Sequence, residues 1–166
     1  MISLRVRSVV ETHAVAAALA QLARSGDVII LAGEMGAGKT AFAQGFAAAL
    51  GVDEPVTSPT FTLVHTYDTG RVDLHHADLY RLDRTSEVAD LALSELVESD
   101  GILLVEWGDV VASMLGDHLE LRLAPVDGEA SDETRTIVLR GTGRAWAARW
   151  ERVEAAVAPW RADESC

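Results

Sequence analysis

The octapeptide "GEMGAGKT", Gly33 to Thr40, constrains the fold more than any other stretch of the chain. It has the spacing G-x-x-x-x-G-K-[ST] and stands between "VIILA", an apolar run without alternation, and a helix-compatible segment that starts at Lys39. Such a run is the strand of a parallel sheet covered by helices on both faces. The glycines admit positive φ and close backbone approach, so successive N–H groups can point at a phosphate at a helix N-terminus. Met35, Gly36, Ala37, Gly38, Lys39 and Thr40 are the residues expected to wrap the phosphates. Lys39 is the sole lysine among 14 basic residues, and the chain has no asparagine. That bias toward arginine makes the one retained lysine telling. Its compact ammonium on a flexible stem reaches between the β- and γ-phosphates, where a guanidinium fork is too broad. The Thr40 hydroxyl is expected on Mg²⁺.

The other segments extend the same architecture. "ISLRVRSV" alternates apolar Ile2, Leu4 and Val6 with polar neighbours, the pattern of an edge strand with one exposed face. Val15, Leu19, Leu22 and Ala23 recur at helical spacing over Thr12 to Ser25, with Gly26 as the stop. "FTLVHTY" and "RVDLHHAD" flank "DTGR" as a β-hairpin with Gly70 at its tip. "SEVADLALSELVES" reads as a helix capped by Ser86, and "ILLVE", residues 102 to 106, as a second buried strand. "LELRLA" and "TRTIVLR" are late strands around the acidic loop "DGEASDE", and a terminal helix runs from Trp146 to Val157. The fold class is α/β: a single domain over residues 1–166, a three-layer P-loop nucleotide-binding fold whose mixed, mainly parallel sheet includes the hairpin.

A phosphate loop needs a second acid to hold magnesium or steer water. Glu106 ends a buried strand and is delivered to the sheet's C-terminal edge, where α/β ligands bind; Asp78 ends the second hairpin strand and can lie beside it. The residues alone do not divide the two roles. With neither asparagine nor a second lysine, the Asn-Lys-x-Asp element of guanine readers is missing, so ATP is the expected nucleotide. A zinc cluster from His65, Asp73, His75, His76 and Asp78 is not expected, because adjacent strand residues point to opposite faces.

A net charge of −12 opposes a strong direct grip on nucleic acid, which depends on cations displacing phosphate counterions. The arginines between Arg135 and Arg152 read as a solvated helix face. The single cysteine, Cys166, excludes an internal disulfide and suits a reducing cytoplasm. No run approaches the ~18 apolar residues of a membrane span, and Glu11 and His13 stand where a secretion leader carries positive charge.

With "GEMGAGKT", "SPTFTLVHTY", "HADLYRL" and "LVEWGD" in this order from Gly33 to Asp109, the chain resembles the TsaE family, the P-loop ATPases of bacterial tRNA threonylcarbamoyladenosine synthesis. The resemblance implies an ATPase that works with a threonylcarbamoyl-transferase protein and that protein's paralogue, in repeated rounds of modification of the adenosine at position 37 of certain tRNAs. The tRNA would be reached indirectly, through those partners. It also implies Mg²⁺ on Thr40 and Glu106, Asp78 as a catalytic acid alongside Glu106 and Lys39, and Ser58 to Phe61 as a nucleotide-sensing switch. Thr12 stands where the family's N-terminal region approaches the adenine; as a residue it reads equally as a helix N-cap. Trp107 reads as a core tryptophan, with a partner contact as the other possibility. The chain departs from the family at Ala41, often a second threonine, and at Gly108, often proline. The alternative is a small-molecule P-loop kinase of the shikimate kinase type. Against it, a strand and a helix precede the loop, and the region of a kinase's arginine-bearing lid carries "DGEASDE".

Overall fold

In the computed structural model the apolar run before the glycine-rich loop is strand β2 (Val28–Ala32), buried along its whole length. Residues 1–57, 64–79, 95, 96, 98, 100–107 and 112–163 are described. β2 lies between two parallel neighbours, β5 (Gly101–Glu106) and β6 (His118–Pro125). Beyond β5 the parallel set continues with β4 (Asp73–Asp78), whose hairpin partner β3 (Val64–Asp68) closes that margin antiparallel. On the other side β7 (Arg135–Thr142) runs antiparallel to β6, and β1 (Ile2–Val6) antiparallel to β7. The strand order is β1-β7-β6-β2-β5-β4-β3. The sheet is therefore mixed in a particular way: parallel across its four central strands and antiparallel at both margins. β1 is the expected edge strand, alternately buried and exposed.

Because β2 and β5 are covered on both faces, alternate residues feed separate cores. Ile29, Leu31, Ile102 and Leu104 join the larger cluster with Phe42, Phe46, Val15 and Leu19. Val28, Ile30, Leu103 and Val105 join Ala77, Leu79 and Leu115 on the other face, where Leu96 and Trp107 pack against them. The helix expected over 86–99 and its Ser86 cap lie outside the described residues, apart from the helical Glu95, Leu96 and Glu98.

Helix α1 (Val9–Ala20) starts earlier than the periodicity indicated and stops before Ser25. Ser8, in extended conformation, is the cap, its hydroxyl accepting from the Glu11 N–H at 3.2 Å. Thr12 is consequently not the cap. It is buried one turn in, and its hydroxyl donates to the Ser8 carbonyl at 3.3 Å. Helix α2 (Lys39–Leu50) begins where the motif requires. The two helices cross so closely that a Cβ on Gly45 would stand 2.7 Å from His13 Cα, a contact that only glycine avoids. No helix among the described residues is long and apolar enough to cross a membrane.

The terminal helix is divided rather than continuous. Helix α3 (Arg144–Ala147) and helix α4 (Trp150–Val157) are separated at Arg149, which adopts φ −106° and ψ 3°. The break turns the Arg149 guanidinium inward, against the expectation of a solvated arginine face. Its Nη1 and Nη2 donate to the two Asp27 carboxylate oxygens at 2.8 and 2.7 Å, Nη1 also to Leu22 O at 2.9 Å, and Nε to Ala145 O at 3.1 Å. The Trp146 ring lies 4.0 Å below it. This bidentate pair ties the C-terminal helices to the entrance of β2.

Breaking a buried pair from one side leaves an uncompensated charge. Arg149→Ala is expected to lower stability by about 3–5 kcal/mol in denaturant titration, and Asp27→Ala with Arg149→Ala by clearly less than the sum of the single changes. Additive losses would show that the two residues act independently.

Candidate functional site

The loop between β2 and α2 is shaped by what surrounds it. Gly33 has φ +141°, and a Cβ there would stand 2.4 Å from Leu123 O on β6, so no side chain fits. Gly38, at φ +104°, caps α2 in the left-handed region and aims the helix's first N–H groups at a cavity of about 320 Å³. Met35, Gly36, Gly38, Lys39, Thr40, Ala41, Asp78, Glu106 and Trp107 line that cavity. Ala37 is buried behind it and donates its N–H to Glu34 O at 3.1 Å. Met35 is exposed at the tip of the loop.

Lys39 is buried, and its ammonium is held inside the loop. Nζ donates to Gly33 O at 2.7 Å and Glu34 O at 2.8 Å, and it lies 4.0 Å from the centre of the Trp107 ring. Trp107 is thus part of the site rather than a plain core residue. It is only partly buried and has φ +62°, an uncommon conformation for a residue other than glycine.

From outside, Arg135 braces the same loop: Nε donates to Ala37 O at 3.1 Å and Nη2 to Gly36 O at 3.2 Å. Its Nη1 donates to Thr134 O at 2.8 Å and to Asp132 O. Periodicity gave no sign of this role, which arises only once β7 folds back along β6. The acidic loop over 126–134 is therefore anchored to the phosphate loop through one side chain.

The acids meet by register. Parallel pairing sets Asp78 directly opposite Glu106, so both carboxylates occupy one face at the sheet's C-terminal edge. Glu106 is buried, with Oε1 accepting from the Thr40 hydroxyl at 3.3 Å and Oε2 2.6 Å from His76 Nε2. Asp78 is half-buried and reaches the cavity wall. Adjacent ligands of an octahedral ion with bonds of 2.0–2.1 Å stand about 2.9 Å apart, close to the Thr40–Glu106 separation, so these hard oxygens fit magnesium. The glycine cradle and the helix terminus fit a polyphosphate.

Thr12, in contrast, is buried in α1 with its hydroxyl committed to Ser8, and it is not among the residues lining the cavity. The histidines separate as the strand alternation requires. His75 takes the opposite face, with Nδ1 2.9 Å from the Thr66 hydroxyl, and burial lowers its pKa from the ordinary histidine value while Asp73 opposes the shift. No group of three or more metal-holding side chains occurs among the described residues. Ser58 to Phe61 lie outside those residues.

Comparison with known proteins places this chain in a family. A sequence model for the threonylcarbamoyl adenosine biosynthesis protein TsaE matches residues 6–137. The tRNA threonylcarbamoyladenosine biosynthesis protein TsaE of Bacillus subtilis is 41% identical over 133 residues, covering 80% of this chain and 81% of the relative. The protein of the same name from Streptomyces coelicolor is 41% identical over 133 residues, 78% of this chain and 89% of its own. Among solved structures, Bacillus subtilis YdiB superposes with a TM-score of 0.74 at 31% identity, covering 93% of this chain and 97% of that one. The chain belongs to the TsaE family.

Proposed function

We propose that this protein binds Mg²⁺·ATP in the loop cavity and hydrolyses it as the ATPase component of tRNA threonylcarbamoyladenosine biosynthesis in the cytoplasm. Its partners are a threonylcarbamoyl-transferase protein and that protein's paralogue, and tRNA is reached through them. The observation that carries the reading is the convergence of Lys39, Thr40, Glu106 and Asp78 on one cavity at the C-terminal edge of the parallel strands, in a chain of the TsaE family. The relatives' names supply the pathway.

Each residue then has a defined task. The N–H groups at the start of α2 and the Lys39 ammonium take phosphate oxygens, the lysine exchanging its carbonyl partners for charge-assisted bonds. Thr40 and Glu106 would hold the magnesium ion, which when bound neutralises phosphate charge. Asp78, less buried and beside Glu106, is the acid placed to orient water at the terminal phosphate. Arg135 spends its donors on loop carbonyls, which suits a scaffold rather than a finger on the transferred phosphate. Slow turnover by the isolated protein, with stimulation by partners, is the reading in which a partner supplies the stabilising arginine. The net charge of −12 favours the indirect route to tRNA. Against the small-molecule kinase, the loop over 126–134 is acidic, and Arg135 beside it is turned to the phosphate loop.

If Glu106 meets the cation, Glu106→Ala should weaken ATP binding in the presence of Mg²⁺ far more than binding in EDTA, as read by calorimetry. Equal losses in both media would remove Glu106 from the metal. Asp78→Ala is expected to keep ATP affinity within about threefold while lowering turnover stimulated by the transferase pair by roughly 10². Unchanged stimulated turnover would make Asp78 a structural acid.

A further inference from the structure

We infer that His76 is a positioning residue that fixes the rotation of the Glu106 carboxylate and thereby sets the metal affinity of the site. The inference deepens the reading above and rests on Glu106 being a magnesium ligand. His76 pairs with Leu104 across β4 and β5, two residues before the Asp78–Glu106 pair, so its side chain falls on the same face as both acids. It is fully buried, and Nε2 stands 2.6 Å from Glu106 Oε2. The other carboxylate oxygen is thereby left facing the Thr40 hydroxyl, 3.3 Å away. The His76 contact adds a fixed point on the oxygen that Thr40 does not hold. Pinning one oxygen leaves the second aimed at the cavity.

The rest of the imidazole has no competing task. Nδ1 is buried and has no hydrogen-bond partner among the described residues, so the polar contact of this ring is the one to Glu106. Of the two neutral tautomers, the one with Nε2–H gives the carboxylate a donor and leaves no buried Nδ1–H without an acceptor. The geometry calls for Nε2–H donating to Glu106. The acceptor of this buried ring is a carboxylate whose other oxygen faces Thr40 at the cavity, and groups that orient a metal ligand commonly alter metal affinity 10–100-fold.

The test compares ATP binding in MgCl₂ and in EDTA for wild type, His76→Leu, His76→Gln, Glu106→Gln and the double change His76→Leu with Glu106→Gln. His76→Leu should reduce the Mg²⁺-dependent gain in affinity about tenfold or more while leaving affinity in EDTA within about threefold. His76→Gln, which keeps a donor, should recover part of the gain. The double change should bind no worse in MgCl₂ than Glu106→Gln alone. A wild-type gain that His76→Leu retains in full would overturn the positioning role, and so would affinities that fall equally in both media. A wild type with no gain would overturn the metal reading of Glu106 and this role with it. Nitrogen NMR of wild-type His76 provides a readout free of variants and nucleotide: a protonated Nε2 and a bare Nδ1 are expected, and the reverse tautomer contradicts the assignment.

Discussion

The register between β4 and β5 is the constraint on which the cavity depends. It sets Asp78 opposite Glu106 and His76 opposite Leu104, which gathers three polar side chains on one face, where Leu74, Ile102 and Leu104 are their apolar neighbours. A slip of one residue would turn the whole set to the other face, because side chains alternate with period two. The parallel pairing of β2 with β5 then delivers the end of β5 beside the end of β2, so that Glu106 meets Thr40 on the first turn of α2. Without that alignment the glycine-rich loop would still make a turn, but it would face no acid.

Around this frame the loop is held from two sides. Lys39 draws the Gly33 and Glu34 carbonyls inward, and Arg135 holds the Gly36 and Ala37 carbonyls from outside. Opposing pulls on neighbouring peptides fix which N–H groups face the cavity, and a preorganised set of donors pays less ordering entropy when an anion arrives. The Trp107 ring, just past the end of β5 with φ +62°, adds a face for the ammonium. The C-terminal helices take no part in lining the cavity. They secure the opposite end of β2 through the Arg149–Asp27 pair.

Much of this was legible in the residues. The motif placed Lys39 and Thr40 because its spacing is tied to a strand and a helix, and the run over residues 102–106 placed Glu106 because continuous apolar residues mark a strand buried on both faces. The hairpin with Gly70 at its turn and the edge strand β1 followed from turn chemistry and alternation. What escaped, apart from one local helix cap, were features that depend on long-range partners. Ser8 displaced Thr12 as the cap because Glu11 three residues on completes its geometry. The break at Arg149 requires Asp27, more than a hundred residues away, and Arg135 becomes a brace only when β7 lies against β6. His76 looked like half of an adjacent histidine pair, and its bond to Glu106 needs the register of strands that no local pattern specifies.

The most direct measurement is a crystal structure of the protein with Mg²⁺ and a non-hydrolysable ATP analogue. The expected result has Lys39 Nζ off the Gly33 and Glu34 carbonyls and within about 3 Å of phosphate oxygens, with Thr40 Oγ1 and a Glu106 oxygen on the cation. An analogue bound elsewhere, with Lys39 still on its two carbonyls, would contradict the assignment of this loop as the nucleotide site.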